Sequence, residues 1–229
     1  MPSGHVYTIV LNGWAASSHA WDLCTFHRDA LFSSLDQLDG LPEQFVDETL
    51  ACHPDAQLIL VGWSMGGSSA LRLACRFHDS VAGMVLVAAT PRMMEDKSSG
   101  WRGMSPRRMD ALYRGLVLTH GEGLFGLPEG CPNPYQMDTE ENLLRGLRYL
   151  SETDLRGELE RLAPQMGFPV SIFHSEHDGI VRPENASYLK ALFPRSELVL
   201  EPGVEHALPV FIPERISAAV SAFLSARQT

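Results

Sequence analysis

The sequence predicts one α/β domain: a mostly parallel sheet of about six strands, helices on both faces, and a helical cap or lid. Three observations predict it. Short apolar runs without polar alternation recur and alternate with helical patterns, as strands buried on both faces of a parallel sheet do. One long stretch, residues 91–165, breaks that alternation with helical patterns only. A third apolar run ends in a serine set between glycines, just where a helical pattern starts.

The elements follow in chain order. "VYTIVLN" (6–12) reads as the first strand, and "FSSLDQLDG" (32–40) is expected to hold a further edge strand. "PEQFVDETLACH" (42–53) places proline at its start and apolar residues at helical spacing, so it reads as a helix. "AQLILVGW" (56–63) is a strand, "SSALRLACRFH" (68–78) a helix and "VAGMVLVAA" (81–89) a strand. The strandless region then contains "MSPRRMDALYRGLVLTHG" and "DTEENLLRGLRYLSETDLRGELERLAP", both helical in pattern, around the turn-rich "GLPEGCPNPYQ". An all-helical insertion between two parallel strands divides the chain into a core, 1–90 and 166–229, and a lid, 91–165. "FPVSIFHS" (168–175) and "SELVLEPG" (196–203) are the last strands, each followed by a helix, "RPENASYLKALF" (182–193) and "IPERISAAVSAFLSAR" (212–227).

Composition narrows the function. The 229 residues are 45% hydrophobic, enough for a normal core. The formal net charge of -10 attracts neither nucleic acid nor an anionic membrane. The cysteines, Cys24, Cys52, Cys75 and Cys131, show no C-x-x-C spacing, so they read as reduced, with Cys75 on a buried helix face. The N-terminus has no basic stretch leading into an apolar one, and no segment approaches the roughly 20 apolar residues of a membrane span. A cytoplasmic monomer without metal or cofactor is the expectation.

The chemistry sits at Gly62-Trp63-Ser64-Met65-Gly66. A strand turning abruptly into a helix strains the backbone at its apex, and side chains at the flanking glycines would collide. What results is a G-x-S-x-G elbow with an exposed hydroxyl at a helix N-terminus, where developing negative charge is favoured. A serine alcohol needs a base, and in this architecture the acid and then the histidine follow it in the chain. His206, in "EPGVEHALPV" after the last strand, fits the base. Asp178, in "HSEHDGIVRPENA" after the penultimate strand, fits the acid that fixes its tautomer. Glu176 is the neighbouring competitor, and a placement one strand earlier would select Glu95 or Asp96. His174 and His177 could suggest a metal, but they point to different faces with no further ligand in the pattern. For the oxyanion, the backbone N–H of Met65 is one donor. That of Trp14, in "VLNGWAASSHAW", is the other, and the indoles of Trp14 and Trp63 then wall an apolar acyl pocket.

"LNGWAASSHAW", "LVGWSMGGSSALRLA", "VLVAATPRM", "HDGIVRPENA" and "GVEHALPVFIPE" resemble the α/β-hydrolase superfamily over nearly the whole chain. N-G-W paired with G-W-S-M-G-G is most similar to the BioH-type pimeloyl-acyl carrier protein methyl ester esterases of biotin synthesis. The resemblance implies Ser64, Asp178 and His206 as a triad, Trp14 and Met65 as the oxyanion hole, an acyl-enzyme route, and basic lid residues that meet an acidic carrier. Asn12 stands where that family commonly has histidine, and the family's first hairpin is absent or shortened here.

The lid supplies a basic cluster for such a carrier. Arg102, Arg107, Arg108 and Arg114 face a single Asp110, an excess that would steer an acidic partner. Arg148 and Arg156 are offset by Glu152 and Asp154. The same machinery would also serve a small-ester carboxylesterase, a thioesterase or a carbon–carbon bond hydrolase. A non-catalytic relative is disfavoured because every triad position is filled.

Overall fold

The computed structural model describes residues 5–119, 133–135 and 139–226. Six parallel strands form one sheet. They are β1 (Val6–Leu11), β2 (Ala30–Phe32), β3 (Gln57–Trp63), β4 (Val81–Val87), β5 (Val170–Ser175) and β6 (Glu197–Glu201), in the order β2-β1-β3-β4-β5-β6. Five match the apolar runs to within a few residues. The sixth differs from the reading. Only Phe32 of 32–40 lies in β2, and Ser34–Leu38 form helix α1 instead.

The reason is local. Ser33 Oγ accepts from the Asp36 N–H at 3.2 Å, and Asp36 Oδ2 accepts from the Ser33 N–H at 2.7 Å. This reciprocal capping box satisfies two donors that a helix start otherwise leaves orphaned.

Side chains alternate across the sheet, as strand geometry requires. Ile9, Leu11, Leu58, Leu60, Met84, Leu86 and Ile172 share one core. It includes Val46 of α2 (Leu41–Cys52), the buried face of α3 (Met65–Phe77), and Ala186 and Leu189 of α7 (Glu184–Leu192). Val10, Ile59, Val61, Val85, Val87 and Phe173 face the other way. There they meet Leu208 of α8 (Leu208–Phe211) and Ile216, Val220 and Phe223 of α9 (Pro213–Ser225). The central strands therefore read as continuous apolar runs because they need two buried faces.

Between β4 and β5 lie α4 (Pro106–Thr119), α5 (Glu140–Glu152) and α6 (Arg156–Leu162). Among the described residues of 91–165 there is no strand, only isolated bridges such as Arg92 with Asp154. Leu155, Leu159 and Leu162 place α6 in the core of the α3 face. A network ties the start of this segment to α6. The Arg156 guanidinium donates to Asp96 at 2.9 Å and to Asp154 at 2.8 Å, and it lies 5.2 Å from the Trp101 ring. Arg92 also pairs with Asp154. His120, Gly121, Asp138, Cys131 and most of the turn-rich 126–136 lie outside the described residues. Among those described, Cys24, Cys52 and Cys75 are free thiols, and burial pushes Cys75 up to about 12. No described helix is long and apolar enough to cross a membrane.

Candidate active site

Ser64 stands between β3 and α3 with φ 56° and ψ -116°, a region that costs a residue with a side chain free energy of order 1–3 kcal/mol. The flanking glycines make the turn feasible. A Cβ at Gly62 would come within 2.3 Å of the Gly66 carbonyl oxygen, and one at Gly66 within 2.0 Å of the Leu11 carbonyl oxygen. Those are backbone atoms, so no side chain could yield. The Ser64 N–H donates to Val87 at 2.9 Å, and the Gly67 N–H to the Ser64 carbonyl at 2.9 Å. The apex is thus fixed to both neighbouring elements.

Two loops at the same end of the sheet bring the partners. His206 Nε2 lies 2.9 Å from Ser64 Oγ, and His206 Nδ1 lies 2.8 Å from Asp178 Oδ2. An ionised carboxylate can only accept. The proton of the neutral imidazole therefore sits on Nδ1, which leaves Nε2 to accept from the serine hydroxyl. Asp178 is buried. Burial works against its charge, but His206, its hydrogen bond, nearby His174 and the Ile180 N–H outweigh that and hold the carboxyl below its ordinary value. The Ile180 and Val181 N–H groups both donate to Oδ1 at 2.8 Å.

The other acid candidates are elsewhere. Asp96 is engaged by Ser98, Ser99 and Arg156, and Glu176 is exposed. His177 is exposed, whereas His174 is buried with Nε2 2.9 Å from the Val181 carbonyl oxygen. Burial pushes the His174 imidazole below its ordinary value. Because a carbonyl oxygen only accepts, Nε2 is the donor, and this contact props the turn that carries Asp178. Among the described residues no group of three or more His, Cys, Asp or Glu side chains is arranged to hold a metal ion.

The loop after β1 lies against the serine. A Cβ at Gly13 would sit 3.2 Å from Trp63 Cε3 and 3.5 Å from Ser64 Cβ. Asn12 Oδ1 accepts from Trp21 Nε1 at 2.5 Å, and the Asn12 carbonyl accepts from Gln37 Nε2 at 2.9 Å. Asn12 thereby anchors this loop. A cavity with about 400 Å³ of empty space, its mouth included, opens over Ser64. Trp14, Trp63, Met93, Leu112, Leu116, Tyr135, Leu150 and Ile180 line it with Gly13 and His206. The Met65 side chain instead packs below, with Met93 and Leu147. Sequence reasoning missed Leu112, Leu116 and Tyr135. The first two were available as an i, i+4 pair on a helical face, but nothing in the sequence places Tyr135 beside Trp63.

The four arginines do not act alike. Arg108 donates to the Gly179 carbonyl at 2.6 Å, next to Asp178, and Arg102 pairs with Glu184 at 3.5 Å. Arg107 and Arg114 stand exposed on α4.

A family model described as "Alpha/beta hydrolase family" matches residues 8–219. The chain belongs to the alpha/beta hydrolase family. Among curated proteins, this hydrolase is similar to the pimeloyl-[acyl-carrier protein] methyl ester esterase of Nitrosospira multiformis. Identity is 26% over 256 residues, 94% of this chain and 93% of that protein. The esterase of the same name from Vibrio cholerae is 30% identical over 179 residues, 71% of this chain and 68% of that protein. Among solved structures, a lipase-esterase related protein from Clostridium acetobutylicum matches with a TM-score of 0.69 and 16% identity. That match covers 95% of this chain and 94% of the other. At that identity it speaks for the hydrolase fold alone.

Proposed function

We propose that this hydrolase is a serine carboxylic ester hydrolase acting on pimeloyl-[acyl-carrier protein] methyl ester. The observation that carries the serine chemistry is the Ser64–His206–Asp178 chain of contacts at 2.9 and 2.8 Å. The names of the relatives above supply the substrate.

In this reading His206 Nε2 takes the hydroxyl proton as Ser64 Oγ attacks the ester carbonyl. Asp178 holds the imidazolium that forms. The Trp14 and Met65 N–H groups stabilise the oxyanion, and α3 adds its N-terminal dipole. Collapse of the tetrahedral intermediate breaks the bond to the methoxy oxygen. His206 returns the proton to that oxygen, and methanol leaves. Water repeats the sequence on the acyl-enzyme and frees the carboxylate and Ser64.

The segment 91–165 acts as a lid over the core formed by 1–90 and 166–229. The acyl chain enters between them, past Trp14 and Trp63, and the α4 arginines meet the acidic carrier. A second reading, a general small-ester carboxylesterase, is favoured by a cavity lined by apolar side chains apart from Ser64, His206 and the Tyr135 hydroxyl.

One assay panel separates the two. Purified protein is given pimeloyl-carrier methyl ester and p-nitrophenyl acetate, and kcat/KM is measured for each. The proposal expects a preference of at least 100-fold for the carrier ester and rescue of biotin-free growth in a strain lacking its own esterase. Equal kcat/KM values without rescue would replace it by the general carboxylesterase.

A further inference from the structure

Trp14 is fastened to the helical segment as well as to the core. Its indole Nε1 donates to the Leu143 carbonyl of α5 at 3.1 Å. One turn on, the same edge of the ring lies against Gly146, where an added Cβ would meet Trp14 Cδ1 at 2.4 Å and Nε1 at 2.7 Å. Leu116 of α4 and Leu143 of α5 close around it with Tyr113. A glycine inside a helix is unfavourable relative to alanine. Gly146 is a buried, interior position of α5, and the indole fills the space a side chain would take.

The backbone beside the indole is strained. Ala15 has φ 54°, a conformation that persists only where surroundings over-determine it. The Ala16 N–H donates to Gly13 at 3.2 Å, and the Ser17 N–H to Pro134 at 2.8 Å. The Gly13–Trp14 peptide is therefore gripped by Trp63 and Ser64 on one side and by α5 on the other.

We infer that Gly146 is a positioning residue: its notch in α5 seats the Trp14 indole and so sets where the Trp14 N–H points. This rests on the serine-esterase reading, in which that N–H is an oxyanion donor. Such donors work at 2.7–3.1 Å from the oxyanion, so a displacement of a few tenths of an ångström counts. The lid helix is then part of the oxyanion device, and its seating and the catalytic geometry are one event.

The test is Gly146→Ala, assayed on p-nitrophenyl acetate, which needs no carrier. Inhibition by an aliphatic trifluoromethyl ketone, which adds Ser64 Oγ to its carbonyl and leaves an alkoxide, is measured in parallel. Removing one oxyanion donor outright costs about 10²–10³ in kcat. Displacing it should lower kcat about tenfold or more, with KM within about twofold. The ketone Ki should rise by the same factor, which a loss of general stability would not produce. Trp14→Phe, which lacks the indole donor, should lower kcat and raise Ki together by a smaller factor. In the double variant the two losses should fall short of multiplying, because both act through one displacement. A wild-type Ki in Gly146→Ala, or losses that multiply, would overturn the inference. Should Gly146→Ala fail to fold, a wild-type Ki in Trp14→Phe would do the same. Ser64→Ala separates the two levels. If it is inactive while Gly146→Ala keeps a wild-type Ki, only this inference falls. If it is active, the serine-esterase reading falls as well.

Discussion

Trp63 Nε1 donates to the carbonyl oxygen of His206 at 3.0 Å, across 143 residues of sequence. The last residue of β3 therefore holds the loop that carries the histidine, while the next residue carries the serine. The two rings lie 5.8 Å apart. The His206 carbonyl keeps the Leu208 N–H at 2.9 Å, so removing the indole donor costs about one hydrogen bond, about 0.5–1.5 kcal/mol. Trp63→Phe should lower stability by that amount in urea melts. It should also lower kcat about tenfold, because the loss falls on the loop that positions His206.

Asp178 fixes the proton of His206 on Nδ1. Asp178→Asn keeps the size but can present its amide N–H to Nδ1, which reverses the tautomer. Loss of kcat on the order of 10⁴-fold is expected, as for the corresponding change in a serine triad. Glu176→Gln and Glu95→Gln should stay within about twofold in the same p-nitrophenyl ester assay. The reverse ranking would move the acid elsewhere.

The Arg156 network carries a pH dependence of stability. Asp154 is lowered from 3.8 to about 2, chiefly by its hydrogen bond from Arg156, and Asp96 is also held below its ordinary value by Ser98, Ser99 and Arg156. A depressed carboxyl contributes stability above its unfolded value and loses it as pH falls toward the folded one. Arg156→Gln should therefore lower Tm by about 2–4 °C at pH 7. That gap should be constant down to about pH 5 and narrow between pH 4 and pH 3. Calorimetry of both proteins across that range checks it, and a gap that widens on acidification would contradict it.

The proposed carrier docking would set the α4 arginines apart. Arg107, Arg108 and Arg114 are all exposed, but Arg108 also donates to the Gly179 carbonyl. Arg107→Glu with Arg114→Glu should raise KM for the carrier-bound ester about tenfold and leave p-nitrophenyl acetate hydrolysis unchanged. Added salt should act likewise on the first substrate only, since exposed charges are screened over a Debye length of about 8 Å. Arg108→Glu should affect both substrates, because it frees the turn beside Asp178.

The parts legible in the sequence were those governed by local pattern. Buried parallel strands need two apolar faces, so "LILVGW" and "AGMVLV" announce themselves. The elbow glycines are dictated by backbone contact at Gly62 and Gly66, a constraint with a short signature. The segment 32–40 reads as a strand edge, but the Ser33–Asp36 capping box decides it as α1. The chain order of Ser64, Asp178 and His206 follows from which loops share one end of a parallel sheet. Tyr135, the Gly146 notch and the His174 prop depend on tertiary contacts between segments far apart in sequence. No periodicity encodes those.

Adduct mapping shows whether Ser64 is the nucleophile. The protein is treated with a fluorophosphonate, and its intact mass and peptide map are recorded beside those of Ser64→Ala. One adduct per chain on Ser64, and none on a folded Ser64→Ala whose kcat has dropped by several orders of magnitude, is the predicted result. Labelling at another residue, or near-full activity in Ser64→Ala, would contradict it.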